Sequence, residues 1–183
     1  MTKVSFRTAS VLIAFLGLTA CSSGGAESSG GTPTKTGADT KSSPLVGNPA
    51  PDFAGTRVNG AGSVKLADLK GKVVLVDFWA TWCAPCAKSF PRYQELYVKY
   101  KDKLEIVGFS EDEEKDGIDA FAKNHGVKFP LVWDEGKSMA GKYDPKSMPT
   151  AFLIDKQGVV RFVHFGYEDG DEAQIERELK ELL

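Results

Sequence analysis

The sequence is poor in the residues from which metal centres and disulfide frameworks are built, with three cysteines and two histidines among 183 residues. Cys21, Cys83, Cys86, His125 and His164 show no recognisable metal-ligand spacing, and a zinc site seeded by the cysteine pair lacks further ligands. Haem attachment requires a histidine directly after the second cysteine, and Ala87 stands there. Basic charge is not in excess either: 23 Lys+Arg against 25 Asp+Glu leave a formal net charge of -2 at pH 7. Such a chain has no electrostatic footprint for nucleic acid. No apolar run reaches the roughly 18 to 20 residues that span a bilayer as a helix, and no internal repeat is apparent. What remains, 42% hydrophobic and 26% charged, fits one ordinary domain with extensions.

The extensions are at the N-terminus. Lys3 and Arg7 precede an apolar stretch, Val11 to Leu18, and Leu18-Thr19-Ala20 ends in small residues before Cys21, the pattern of an export signal over residues 1–20. Leu-Thr-Ala-Cys resembles the bacterial lipoprotein processing box, which implies lipidation of Cys21; the alternative is an ordinary cleaved signal with an incidental cysteine. Residues 21–43 are dominated by Gly, Ser and Thr without apolar periodicity, as expected of a flexible tether. The folded domain is expected over residues 44–183.

The chain is organised around Gly71 to Pro91, GKVVLVDFWATWCAPCAKSFP. Its apolar run, Val73 to Trp79, reads as a central strand buried on both faces. The C-terminal end of such a strand is where open α/β sheets place their chemistry. Cys83-Ala84-Pro85-Cys86 lies where that strand hands over to a helix, so the first sulfur meets the unpaired N–H groups and positive dipole of the helix N-terminus. Thiolate is the reactive form of cysteine and this location lowers a thiol pKa, making Cys83 the candidate nucleophile. Cys86, one turn further in, is the candidate resolving thiol. A purely structural disulfide remains an alternative, although it closes a very short loop where the entropic gain is smallest.

VDFWATWCAPC resembles the thioredoxin active-site strand and motif. With GKVV before it and Pro91 after it, the segment is similar to the membrane-tethered thiol-disulfide oxidoreductases of the TlpA/ResA type. The resemblance implies an α/β, thioredoxin-like fold: a central mixed sheet with helices on both faces, an N-terminal hairpin extension and an extra helix-strand insert. It also implies disulfide-containing protein substrates, commonly apocytochrome c in cytochrome c maturation, and recharging by a membrane electron donor protein. The expected setting is extracytoplasmic, on a bacterial membrane. No diffusible organic cofactor is expected, because the Cys83–Cys86 pair itself carries the electrons.

The pattern of the remaining chain fits that order. Strands are expected at Thr56 to Val58 and Ser63 to Leu66 as a hairpin covering a sheet edge, with Asn59-Gly60 between them. Phe90, Tyr93, Leu96, Tyr97 and Tyr100 recur at helical spacing after Cys83, with Pro91 expected to kink that helix. Leu104 to Ser110 reads as a strand. The acidic run Glu111 to Asp116 is expected to suit the start of the next helix and carries no site. A short strand over Lys128 to Trp133, a short helix over Lys137 to Tyr143, a hairpin of Thr150 to Asp155 with Val159 to Phe165, and a last helix from Asp169 to Leu183 complete the domain. His125 is expected at a helix end.

Asp77 interrupts the central strand. By pleat alternation it shares a face with Val73, Leu75 and Trp79, so its carboxyl is expected in the core under the active-site helix with a raised pKa. The position matches the buried acid of thioredoxin, which implies proton exchange with Cys86; the alternative is an aspartate bonded to backbone at a fraying strand end. TlpA/ResA-type proteins commonly carry an acid in the helix slot that here holds Ser89, so that role is expected to fall to Asp77. Thioredoxin balances its acid with a lysine on the neighbouring strand, and Ile106 to Phe109 offers none. Met148-Pro149-Thr150 resembles the loop that faces the cysteines in this fold through a cis-proline, leaving the Met148 backbone free to pair with substrate. Trp82 is expected on the docking surface, Trp79 packed beside it, and Ala84 and Pro85 are expected to tune the potential. A peroxiredoxin-like peroxidase is a rival, but its nucleophile motif has no counterpart around Thr81. A non-catalytic copper-delivery protein on the same fold is another, against which the close cysteine spacing counts.

Overall fold

The structure is a computed structural model and describes residues 43–183; the export signal, Cys21 and nearly all of the tether lie outside the described residues. The central element is β3, Val73–Trp79, in which every residue is buried. It is flanked in parallel by β4 (Leu104–Ser110) and antiparallel by β6 (Thr150–Ile154). The sheet is completed by β5 (Leu131–Trp133) beside β4 and β7 (Val160–Phe165) beside β6, giving the order β5-β4-β3-β6-β7. A strand with neighbours on both sides and helices on both faces has no solvated side, which explains an apolar run broken only by Asp77.

The pleat of β3 divides the core into two. Val73, Leu75 and Trp79 pack with Phe90, Tyr93 and Leu96 of α1 (Ala84–Lys99), with α2 (Ile118–Asn124), and with Ile175 and Leu179 of α4 (Asp171–Leu182). Val74, Val76 and Phe78 pack on the opposite face with Phe109, Phe152 and Tyr143, the last at the end of α3 (Ser138–Tyr143). The expected thioredoxin-like arrangement, with its insert and two-sided helix layers, is therefore present.

Differences from the sequence reading are concentrated at sheet edges. The hairpin strands are β1 (Ala54–Thr56) and β2 (Ser63–Lys65), forming a separate two-stranded sheet. β1 ends two residues before the expected Val58 because Arg57 and Val58 are drawn to β5. Arg57 bridges to Val132, and the Val58 N–H donates to the Leu131 carbonyl at 2.8 Å. Asn59, expected in a turn, clips the same edge: it donates to Phe129 O at 2.8 Å and accepts from Leu131 N at 3.0 Å. β5 begins at Leu131 rather than Lys128 because Pro130 brings no N–H to a ladder. α1 runs as one helix through Pro91, although Pro91 returns no N–H to Ala87. The acidic run does not open a helix. α2 starts only at Ile118, and Glu111 and Asp112 instead follow directly on β4 at the sheet's C-terminal edge.

Candidate active site

Cys83 ends the turn after β3 and caps α1. Its backbone is extended, Pro85 lies in the first helical turn, and its sulfur accepts a hydrogen bond from Cys86 N at 3.2 Å. The two cysteines are joined as a disulfide with Cα atoms 5.2 Å apart. Cys86 has no exposure, whereas 5% of Cys83 is accessible, so the sulfur at the helix N-terminus is the one open to attack or attacking. Ala84 and Pro85 between them are exposed. Trp82 stands 66% exposed beside the pair, while Trp79 is fully buried, its ring tilted against those of Phe90 and Phe121.

Asp77 is fully buried, and neither carboxyl oxygen has a hydrogen-bond partner. The alternative of a backbone-bonded aspartate at a fraying end therefore fails. It lies on the pleat face that packs against α1, and burial pushes its carboxyl well above the usual range. Tyr93, one helical turn after Ser89, is pushed up too, first by burial and then by the Asp77 charge. Ser89 faces inward without exposure, its hydroxyl donating to Cys86 O at 3.1 Å. The slot expected to hold an acid thus holds a hydroxyl tied to the helix backbone.

The Met148–Pro149 peptide is cis, as the resemblance implied. Pro149 is held from both sides. Its carbonyl accepts from Gly166 N at 2.7 Å, and the next residue, Thr150, pairs with Phe78 of β3 while its hydroxyl donates to Ser147 O at 2.7 Å. Met148 packs on the core cluster that contains both cysteines. Trp82 and Met148 also line a common cleft of about 500 Å³. Cys83, Cys86, Asp77, Trp82, Met148 and Pro149 are therefore gathered at one end of β3; Cys21 lies outside the described residues.

Sequence reasoning missed the groups that hold the nucleophile turn. Asp112, buried beyond the end of β4, accepts from Thr81 N at 3.1 and 3.0 Å, from the Thr81 hydroxyl at 2.7 Å and from the Ser110 hydroxyl at 2.6 Å. Its own carbonyl accepts from Trp133 Nε1 at 2.9 Å and from Lys137 Nζ at 3.0 Å. Glu111 lines the cleft beside Trp82, and its carboxyl is pushed up to about 7, mainly by burial and then by the Asp134 carboxylate. A signal for these residues existed. β4 was expected to neighbour β3, so whatever follows Ser110 stands next to whatever follows Trp79. Among the described residues no three His, Cys, Asp or Glu side chains form a metal-binding group, and no helix is long and apolar enough to cross a membrane.

Comparison with known proteins matches residues 46–163 to the AhpC/TSA family. The thiol-disulfide oxidoreductase ResA of Bacillus anthracis is 44% identical over 116 residues, which is 63% of this chain and 66% of that protein. ResA of Geobacillus kaustophilus is 37% identical over 143 residues, covering 78% and 80% respectively. Among solved structures, a Chlorobium tepidum protein assigned as the thiol:disulfide interchange protein DsbE superposes with a TM-score of 0.69 at 35% identity, covering 73% of this chain and 94% of that one. The match spans about two thirds of the length of the Bacillus relatives.

Proposed function

The chain belongs to the AhpC/TSA family, and within it to the thiol-disulfide oxidoreductases of the ResA type, and from that premise we propose that it reduces disulfides of partner proteins outside the cytoplasm through Cys83 and Cys86. The observation that carries this reading is the asymmetry of the pair. Cys83, the N-cap of α1, keeps 5% of its surface accessible, whereas Cys86 one turn further in has none and shares the core with a fully buried acid. In the reduced protein the Cys83 thiolate attacks a partner disulfide, the partner S–S bond breaks and a mixed disulfide forms with loss of a partner thiolate. Cys86 then gives its proton to ionised Asp77 and attacks Cys83, closing the internal disulfide and releasing the second partner thiol. The partner gains two electrons and the dithiol loses two.

Trp82 and Met148 serve as the walls against which an extended partner segment lies, with the Met148 backbone pairing to it. Ala84 and Pro85 set the potential by shaping the first helical turn. Lipidation at Cys21 and a membrane electron donor that returns the pair to the dithiol complete the proposed setting. Apocytochrome c is the partner class that the TlpA/ResA resemblance favours, and no residue of this chain adds to that.

The test is to equilibrate the protein in dithiothreitol or glutathione buffers and count free thiols by alkylation. A reducing potential near the ~-270 mV of thioredoxin is expected, whereas one near the ~-120 mV of a strong periplasmic oxidant would reverse the direction of electron flow. Cys83→Ser should abolish turnover of a protein disulfide. Turnover left intact would remove the basis of the reading.

A further inference from the structure

Asp77 is fully buried on the pleat face that packs against α1, out of reach of any docked partner, and so in the proposed reading serves only the inner thiol. The outer half of the exchange also needs a proton, because the partner sulfur expelled by Cys83 departs as a thiolate. We infer that Glu111 is the acid on the partner's side, protonating the sulfur that leaves when Cys83 attacks. This inference rests on the proposed reductase reading and adds a catalytic residue to it.

Four observations carry it. Glu111 lines the cleft that Trp82 and Met148 also line, the cleft in which the partner chain is proposed to lie. Its side chain is only one-tenth accessible, and Oε1 is buried with no hydrogen-bond partner. A carboxylate oxygen in that state is costly, and a proton removes the cost. The surrounding charges favour the protonated form. Asp134, an acceptor to Ser138, Met139 and Ala140 at the start of α3, raises the Glu111 carboxyl through its charge and through a side-chain hydrogen bond. The nearest cation, Lys137, is 4.0 Å from Glu111 Oε2, and its ammonium is spent on the backbone carbonyls of Glu111 and Asp112. Asp112 adds negative charge of its own, and the cleft is further lined by the carboxylates of Glu113 and Asp144 and by Lys146, whose ammonium is paired with Asp144. The resulting carboxyl, poised at about 7, is matched to donating near neutral pH.

The step balances without a further reactant. The partner S–S bond breaks and the Cys83–partner S–S bond forms. The Glu111 proton passes to the outgoing sulfur, directly or through one water, and Glu111 is reprotonated from solvent. An acid of this kind matters only when the leaving thiol is basic, because a low-pKa thiol leaves unaided.

The test uses that dependence. The reduced full chain is mixed with oxidised glutathione, which expels an alkyl thiol, and with dithiobis-nitrobenzoate, which expels an acidic aromatic thiol. The rate of mixed-disulfide formation is followed from pH 5 to 9. Glu111→Gln should slow the glutathione reaction about a hundredfold at pH 6, the low end of general-acid effects, and leave the aromatic reaction unchanged. Glu111→Asp should restore part of the loss. In the wild type the glutathione rate, divided by the Cys83 thiolate fraction, should fall as pH rises through about 7, and Lys137→Met should move that fall upward in pH. Equal losses on both disulfides, or no loss on either, would overturn the assignment to Glu111. Absence of exchange by the wild type with both disulfides would instead overturn the reductase reading.

Discussion

Asp77 has two buried oxygens and no donor for either, a situation that costs about 1 to 3 kcal/mol for each unsatisfied group. A packed core would shed such a group by substitution unless the proton chemistry required it. Its charge is felt by Tyr93, which is in turn hydrogen-bonded to Ser89, and neither carries a cation to neutralise it. Desolvation therefore holds the acid protonated until pH is well above the ordinary carboxylate range. Once ionised it is a strong base for the thiol of Cys86, which is equally buried. Asp77→Asn keeps the shape and removes the base. The first step, attack by Cys83, should keep its rate, while decay of the mixed disulfide should slow at least about tenfold. Acid-quenched alkylation during a single turnover separates the two steps, and equal slowing of both would contradict the assignment.

At the level of elements, the site is assembled from three turns that follow β3, β4 and β5 at the same end of the sheet. The turn after β3 carries the cysteines. The turn after β4 holds it through Asp112 and Thr81, and the last residue of β5, Trp133, and Lys137 in the turn after it hold Asp112 in turn. Asp112→Ala strands the Thr81 and Ser110 donors and should lower the unfolding free energy by about 2 kcal/mol or more, measured by urea denaturation of the oxidised protein. β3 and β4 were legible to the residue because buried parallel strands are unbroken apolar runs in the sequence. β1 and β5 were not, because three-residue edge strands take their limits from partners distant in sequence, here Asn59 and Arg57 meeting 128–132. The cysteine pair and Asp77 were legible from motif and pleat, and the cis-proline loop only from the family resemblance. Glu111 and Asp112 were hidden in a charge run that fits a solvated helix start equally well, and only the strand order separates the two. The hairpin seal offers its own check. A Cβ on Gly55 would sit 2.4 Å from Val132 Cγ1, so Gly55→Ala should force the hairpin from β5 and cost about 1 to 3 kcal/mol, seen as a lower thermal midpoint with faster amide exchange over residues 54–65.

Within the described residues, the cysteine pair and residues 47–50 lie at opposite ends of the central sheet. Gly47 N donates to Val160 O, Ala50 N to Gly158 O, and Val160 N to Asn48 O, around the β6–β7 turn at the far end of the sheet from Cys83. The charge balance of the fold is likewise uneven and fixes how stability responds to pH. Asp77, Glu105 and Glu111 are all raised above their usual values, in each case first by burial. A carboxyl whose folded pKa exceeds its unfolded one contributes stability that is complete below the unfolded pKa and lost as pH climbs through the folded value. For Glu111 that window runs from the usual 4.5 to about 7, equivalent to at most about 3 kcal/mol. Glu176 works in the opposite sense. It is lowered to about 2 by hydrogen bonds from Lys99, Tyr100 and Lys180, and its contribution is lost only below the usual 4.5, where solvent screening keeps it small. The oxidised protein should therefore have a higher thermal midpoint near pH 5 than near pH 8. Combining Asp77→Asn with Glu111→Gln should flatten the curve over that interval by raising its alkaline end. Scanning calorimetry on both proteins decides it, and a wild-type midpoint that climbs from pH 5 to pH 8 would show that these buried acids do not govern the stability of the fold.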